Sequence, residues 1–433
     1  MTRFFWKGLA TLVPSLVLFL TSPELLGKHP DQNLSKNVWL AKKPRAHQPK
    51  LSDFAAPVWK QKLDLRKARE QGHRLVQTVG PETSVVLTLN PELQKRANRL
   101  LEQNNVPHAG AVMLDVKTGK VLVMAGYSAW DPDLKPEQLA LRSWAPAASV
   151  YKIVTAAALL ERGVPPNTSV CYHGGSSGLR KHNLVDNPRL DYSCRTLSQA
   201  IAKSTNAVLG KLALRYLTKD QMVTMSERFG FNRELPFELP VQPSLAEIPE
   251  DPLPRAQVAA GFWHTKISVL HGALIASIVA NKGILRWPSI VETVNSSGDQ
   301  IPVPSVPEPE RVISLASANA LAKMMTETTT HGTARSGFRT RRGRPYLGNF
   351  QVAGKTGSLS KEPLHFSWFV GFAPTKNPEV AFAVLLGNGA RWRIKAASAA
   401  RMLLSGYLQA KATGNFQHIA AQKTTRLEPI ALR

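Results

Sequence analysis

Three short clusters in this sequence carry groups that could move an acyl group. In Ser149-Val150-Tyr151-Lys152 a hydroxyl and an amine stand about one helical turn apart, so the amine can take the hydroxyl's proton while the oxygen attacks a carbonyl carbon. Ser204-Thr205-Asn206 offers a second hydroxyl to relay protons and an amide to hold a peptide. Lys355-Thr356-Gly357 adds a positive charge with a small residue beside it. None of these is specific alone, because a Ser before an apolar helix is ordinarily an N-cap, a Lys on such a helix ordinarily snorkels, and Ser204 or Asn206 could equally cap theirs.

Order carries more than the letters. Lys117-Thr118-Gly119 repeats the third cluster, but it lies between the apolar runs Ala111–Leu114 and Val121–Met124, where Asp115 and Gly119 read as hairpin-turn residues. It also precedes the Ser149 cluster. Lys355-Thr356-Gly357 follows both others and opens a series of apolar strands.

The elements that must position these residues follow from periodicity and punctuation. A strand is expected over Val85–Leu89, then a helix from Pro91 to about Gln103 with Asn90 as N-cap and Leu93, Ala97 and Leu100 on one face. After the hairpin, Ser149–Leu160 reads as an apolar helix closed by Gly163 and the Pro165-Pro166 pair. Ser149 then sits at a helix N-terminus, where the dipole and free N–H groups favour a developing oxyanion. Thr196–Leu217 reads as one helical segment carrying Ser204 and Asn206 in an early turn. Helices over Ile267–Val279 and Ser317–Thr328 look like core. Phe350–Ser358, Phe366–Ala373 and Val380–Leu386 read as successive antiparallel strands, and Lys395–Leu408 as a helix covering one face of that sheet.

With 433 residues, 43% hydrophobic and 20% charged, the chain can bury a large core. A formal net charge of +25 points to an anionic partner: membrane phospholipid, cell-wall polymer or nucleic acid. Nucleic acid is disfavoured, because no zinc-finger spacing, aromatic RNA-binding strand or basic heptad array is present. Arg3 and Lys7 lead into the apolar stretch Leu9–Leu20, which reads as a signal-anchor or signal peptide over residues 1–27. Residues 28–80 read as a basic linker, helix-forming from Lys60 to Arg74, ahead of a compact domain over 81–410 and a tail over 411–433. Export would let Cys171 and Cys194 pair. Cys171, His173 and His182 fit no standard zinc spacing, and no metal or other cofactor is expected. The Arg335-to-Arg344 run, with Arg339, Arg341, Arg342 and Arg344, reads as a solvated loop that could also grip an anionic wall polymer.

From about Pro81 to Leu408 the sequence resembles the transpeptidase domain of penicillin-binding proteins. The resemblance rests on the three clusters in order, on Ala109-Gly110-Ala111-Val112, on His331-Gly332-Thr333-Ala334, and on Trp368-Phe369-Val370-Gly371-Phe372. It implies an α/β (α+β) fold: a five-stranded antiparallel sheet covered by helices, with a helical subdomain and Ser149 at their junction. It implies Ser149 as nucleophile towards a D-Ala-D-Ala stem peptide and Lys152 as base, its pKa depressed by burial and by Lys355. Ser204 would pass a proton to the leaving group and Asn206 would hold the substrate amide. Lys355 and Thr356 would bind the terminal carboxylate beside Gly357, and the N–H groups of Ser149 and Ser358 would form the oxyanion hole. The implied activity is that of a peptidoglycan D,D-transpeptidase that binds β-lactams, anchored in the cytoplasmic membrane with its catalytic domain outside. A D,D-carboxypeptidase would use the same residues. A serine β-lactamase is disfavoured because no E-x-x-L-N segment supplies a deacylating glutamate. A non-enzymatic β-lactam sensor is disfavoured because it would need several spanning helices and a signalling domain.

Overall fold

The computed structural model describes residues 58–176, 178–303, 306–390 and 392–414. The expected signal segment, the first part of the linker and most of the C-terminal tail lie outside them. No helix among the described residues is long and apolar enough to cross a membrane.

The centre is a five-stranded antiparallel sheet in the order Ala353–Lys361, Leu364–Ala373, Val380–Asn388, His108–Asp115, Val121–Tyr127. The hairpin His108–Tyr127 forms first in the chain, the helical part follows, and the last three strands return to complete the sheet. That detour brings the third cluster back to the first two. Lys117-Thr118-Gly119 occupies the hairpin turn as expected, with Thr118 bonded to the Asp115 carboxylate and Gly119 at φ +78°.

Both faces of the sheet are covered, which explains why the strands are apolar throughout rather than alternating. On one face lies Val269–Ala280, all of whose residues are buried; Gly272 lets it approach Val370, Trp368 and Ala383. On the other, Pro91–Asn104 and Ala396–Ala412 pack Leu93, Ala97, Leu403 and Leu404 against Phe369, Phe382 and Val384. The Asn90 side chain caps the first of these helices by accepting from Leu93 N–H. Leu101 rather than Leu100 completes its buried stripe.

Compact structure begins earlier than Pro81. Arg69–Gln71 and Arg74–Thr78 form a hairpin turning at Gly72 (φ +62°), and this pairs with Thr83–Leu87 in a second sheet completed by Val291–Ser296 and Asp299–Ile301. Helix-forming composition over Lys60–Arg74 is realised only in the helix Val58–Lys62 and the 3-10 turn Leu65–Lys67; from Arg69 onward strand pairing overrides it. Gln77 fixes the join, accepting from Asp64 N–H at 2.8 Å and donating to the Lys62 carbonyl at 2.9 Å.

The expected single helix over Thr196–Leu217 is broken. Leu197–Ala202 and Asn206–Tyr216 are separate helices, and Ser204 stands between them at φ +57°. Cys171 and Cys194 are disulfide-bonded and pair across the ribbon Ser169–Tyr172 with Ser193–Thr196. The lobe enclosed by that bond lies directly before the second cluster in the chain.

Candidate active site

Ser149 lies in a 3-10 turn, Ala148–Val150, that runs into the helix Lys152–Glu161. The turn begins with Ala148 at φ +47°, a left-handed conformation costly for a residue with a Cβ and held only because its surroundings impose it. Gly261 is one reason: a Cβ there would meet the Ala148 carbonyl oxygen at 2.1 Å and the Ser149 Cα at 3.0 Å. Tyr151, fully buried, anchors the other end of the turn by a 2.6 Å hydroxyl contact with Ser226. Ser149 is thus lifted out of regular helix at a rigid corner.

Lys152 has no exposed surface, and its Nζ lies 2.7 Å from Ser149 Oγ, 2.7 Å from Asn206 Oδ1 and 2.6 Å from the Ala260 carbonyl oxygen. None of the three is an anion. Burial, and secondarily the charge of Lys355, push its pKa well below the ordinary lysine range. With the amine neutral, its two N–H groups serve Asn206 Oδ1 and the Ala260 carbonyl, and the lone pair is left for the Ser149 hydroxyl, a base in position to deprotonate it.

Asn206 starts its helix with both ends of the amide engaged. Its oxygen accepts from Lys152, while Nδ2 donates to the carbonyls of Gly175 (3.0 Å) and Ser176 (3.1 Å) in the disulfide lobe. The amide thus holds Lys152 and ties the lobe to it, while Asn206 also lines the cleft. Ser204 accepts a 2.9 Å bond from Lys355 Nζ, which also donates to the Thr356 carbonyl.

Strand alternation separates the residues of the third cluster. Lys355 is completely buried, its pKa pushed down to about 7 by desolvation, and lies behind the cleft surface rather than on it. Gly357 lets the strand close onto the Ser149 turn, since a Cβ there would come within 3.3 Å of the Ala148 Cβ and the Val150 Cγ2. Thr356 and Ser358 line the cleft. The Thr356 hydroxyl pairs at 2.6 Å with that of Thr333, which the sequence reading quoted within His331–Ala334 but gave no role. Thr333 N–H is fixed to the Ala202 carbonyl at 3.0 Å, so one short segment ties the Ser204 break to the strand. Two adjacent hydroxyls, with no Asp or Glu among the described residues lining the cleft, suit a carboxylate. The cleft into which Ser149, Ser204, Asn206, Thr333, Thr356 and Ser358 open has a volume of about 820 Å³.

The family model for the penicillin-binding protein transpeptidase domain matches residues 109–404, more than half of the sequence. The chain belongs to that family. Among curated relatives, the chain is 27% identical over 345 residues to the peptidoglycan D,D-transpeptidase PbpA of Mycolicibacterium smegmatis, a match covering 71% of this chain and 67% of the relative. PbpA of Mycobacterium tuberculosis is 26% identical over 348 residues, covering 71% and 68%. Among solved structures, a D,D-transpeptidase domain from Eggerthella lenta superposes with a TM-score of 0.62 at 28% identity, covering 76% of this chain and 84% of that one. An imipenem acyl-enzyme of penicillin-binding protein A from M. tuberculosis has a TM-score of 0.63 at 24% identity, covering 75% and 79%, and shares the fold. The five-stranded antiparallel sheet flanked by helices is the architecture expected from the sequence.

Proposed function

We propose that this penicillin-binding domain is a serine D,D-transpeptidase that cross-links peptidoglycan stem peptides and is acylated by β-lactams at Ser149. The observation that carries this reading is the buried Lys152 amine, 2.7 Å from Ser149 Oγ and without an anionic partner among its hydrogen bonds. Relatives named as peptidoglycan D,D-transpeptidases support it.

In this reading the terminal carboxylate of a D-Ala-D-Ala peptide docks on the Thr333 and Thr356 hydroxyls, and the peptide lies along the open edge of Ala353–Lys361 as an added strand. Ser149 Oγ attacks the penultimate carbonyl carbon and its proton passes to the neutral Lys152 amine. The N–H groups of Ser149 and Ser358 receive the oxyanion. The intermediate collapses by breaking the C–N bond. The leaving nitrogen takes a proton through Ser204, whose hydroxyl Lys355 orients, and an acyl ester remains on Ser149. An amine from a second stem peptide then attacks that ester, loses its proton to Lys152, and forms the new amide as Ser149 Oγ recovers a proton. Asn206 serves as a positioning residue for Lys152.

The N-terminal basic and apolar segment would anchor the chain at the cytoplasmic membrane with this domain outside, where a disulfide can persist. The exposed Arg341, Arg342 and Arg344 lie in the segment following Thr333 and would favour anionic wall polymer. Incubation with peptidoglycan precursor should yield cross-linked dimers whose formation stops on Ser149→Ala. Accumulation of trimmed, uncross-linked stem peptides would make the enzyme a carboxypeptidase instead.

A further inference from the structure

The cleft has a charge pattern that the acyl transfer does not use. Among its described lining residues the ionisable side chains are Arg180 and Lys395, with no Asp, Glu or His. Both are exposed, and neither forms an ion pair among the described residues. They belong to different walls. Arg180 precedes the 3-10 turn Lys181–Asn183 within the disulfide lobe, which is held to the helical side by a 2.9 Å bond from Gln257 to the Leu179 carbonyl. Lys395 precedes the helix Ala396–Ala412, and Ala396 N–H donates to Ser367 Oγ at 3.2 Å. Ser367 is the register partner of Ser358, so Lys395 is tethered one strand in from the edge of the cleft.

A peptide whose terminal carboxylate meets Thr333 and Thr356, and whose penultimate carbonyl meets Ser149, has its direction fixed. It runs antiparallel to Ala353–Lys361, and its earlier residues pass Ser358 towards Ser360, about 3.4 Å per residue. That path carries their side chains along the part of the cleft that Lys395 borders, with Arg180 on the facing wall. Two cations with no counter-anion among the described residues of one cleft focus a positive field there, where their N–H donors can meet a ligand.

We propose that Arg180 and Lys395 form a second carboxylate-reading element, distinct from the threonine pair, which selects donor peptides bearing a free side-chain carboxylate upstream of D-Ala-D-Ala over their amidated counterparts. The proposal rests on the D,D-peptidase reading. The cations are solvent-exposed, so the selection weakens as salt screens them.

The test compares two depsipeptide donors, acetyl-Glu-D-Ala-D-lactate and acetyl-Gln-D-Ala-D-lactate, by the kcat/KM for acylating Ser149. The wild-type enzyme should prefer the Glu donor by about threefold to fivefold at low salt, the upper range for exposed ion pairs, and by less at 0.5 M salt as screening of exposed charges requires (about 4 Å Debye length). Arg180→Gln and Lys395→Gln should each lower the preference, and the double variant should bring the ratio close to one. Labelling of each variant by a fluorescent penicillin reports that the site is still folded. A wild-type ratio of one, or a double variant that keeps the full preference, overturns the proposal. A wild-type enzyme that penicillin does not label at all would overturn the peptidase reading itself.

Discussion

At the scale of single residues, folding takes the Lys152 amine out of water into a site whose hydrogen-bond partners are a hydroxyl, an amide oxygen and a backbone carbonyl. Without an anion to repay desolvation, the neutral form is favoured, and the same burial that costs stability makes the base. Lys152→Arg keeps the shape of a long cation but stays protonated at any working pH. It should reduce acylation by a fluorescent penicillin by at least about two decades, the usual contribution of a general base, with unchanged circular dichroism; labelling near the wild-type rate would rule out the base role. Lys355 permits a separate test through stability. Its folded pKa of about 7 lies below the 10.5 of a lysine in the unfolded chain, so unfolding takes up a proton between those values and stability rises with pH across that window. Below about pH 7 the cost of the buried charge is fully present. Lys355→Met should therefore raise the melting temperature at pH 6.5, and the gain should shrink towards pH 10, while acylation is lost. A gain independent of pH would show that Lys355 is not buried with a depressed pKa.

At the scale of elements, the site is made by three close approaches: Gly261 against Ala148-Ser149, Gly357 against the same turn, and Thr333 against Thr356. Gly261 combines a positive φ of +80° with a backbone oxygen 2.1 Å from any Cβ, and backbone cannot swing aside as a side chain can. Gly261→Ala should displace the Ser149 turn and slow penicillin acylation by more than tenfold, a consequence expected when reacting atoms shift by about 1 Å; a variant that labels normally would show the turn to be held by other contacts. This level was only partly legible in the sequence. The helix over Pro91–Asn104, the hairpin with its repeated Lys-Thr-Gly, and the last three strands carry their own caps, turns and apolar runs, and each stands close to where local pattern places it. The hairpin Arg69–Thr78 was not legible, because its apolar residues make sense only against Thr83–Leu87. The break at Ser204 was hidden too, since Thr196 to Leu217 has helical composition and a single strained serine leaves no local signal.

At the scale of the whole molecule, the three clusters were legible as a set, but their division of labour was not. Strand alternation sends Lys355 inward to Ser204 and leaves the Thr356 hydroxyl to meet Thr333, and the Asn206 amide bonds Lys152 and the disulfide lobe. Contacts between residues more than a hundred positions apart, such as Lys355 with Ser204, cannot be read from spacing. They depend on a chain path that lays two sheet strands, builds the helical part, and returns with three more. What this path assembles is the chemistry at Ser149. The most direct measurement is intact-mass and peptide mapping of the protein after incubation with benzylpenicillin, for the wild type and for Ser149→Ala. A single penicilloyl adduct on Ser149, persisting for many minutes and absent from the variant, is the predicted result. An adduct that survives in Ser149→Ala, or one that maps to another residue, would contradict it.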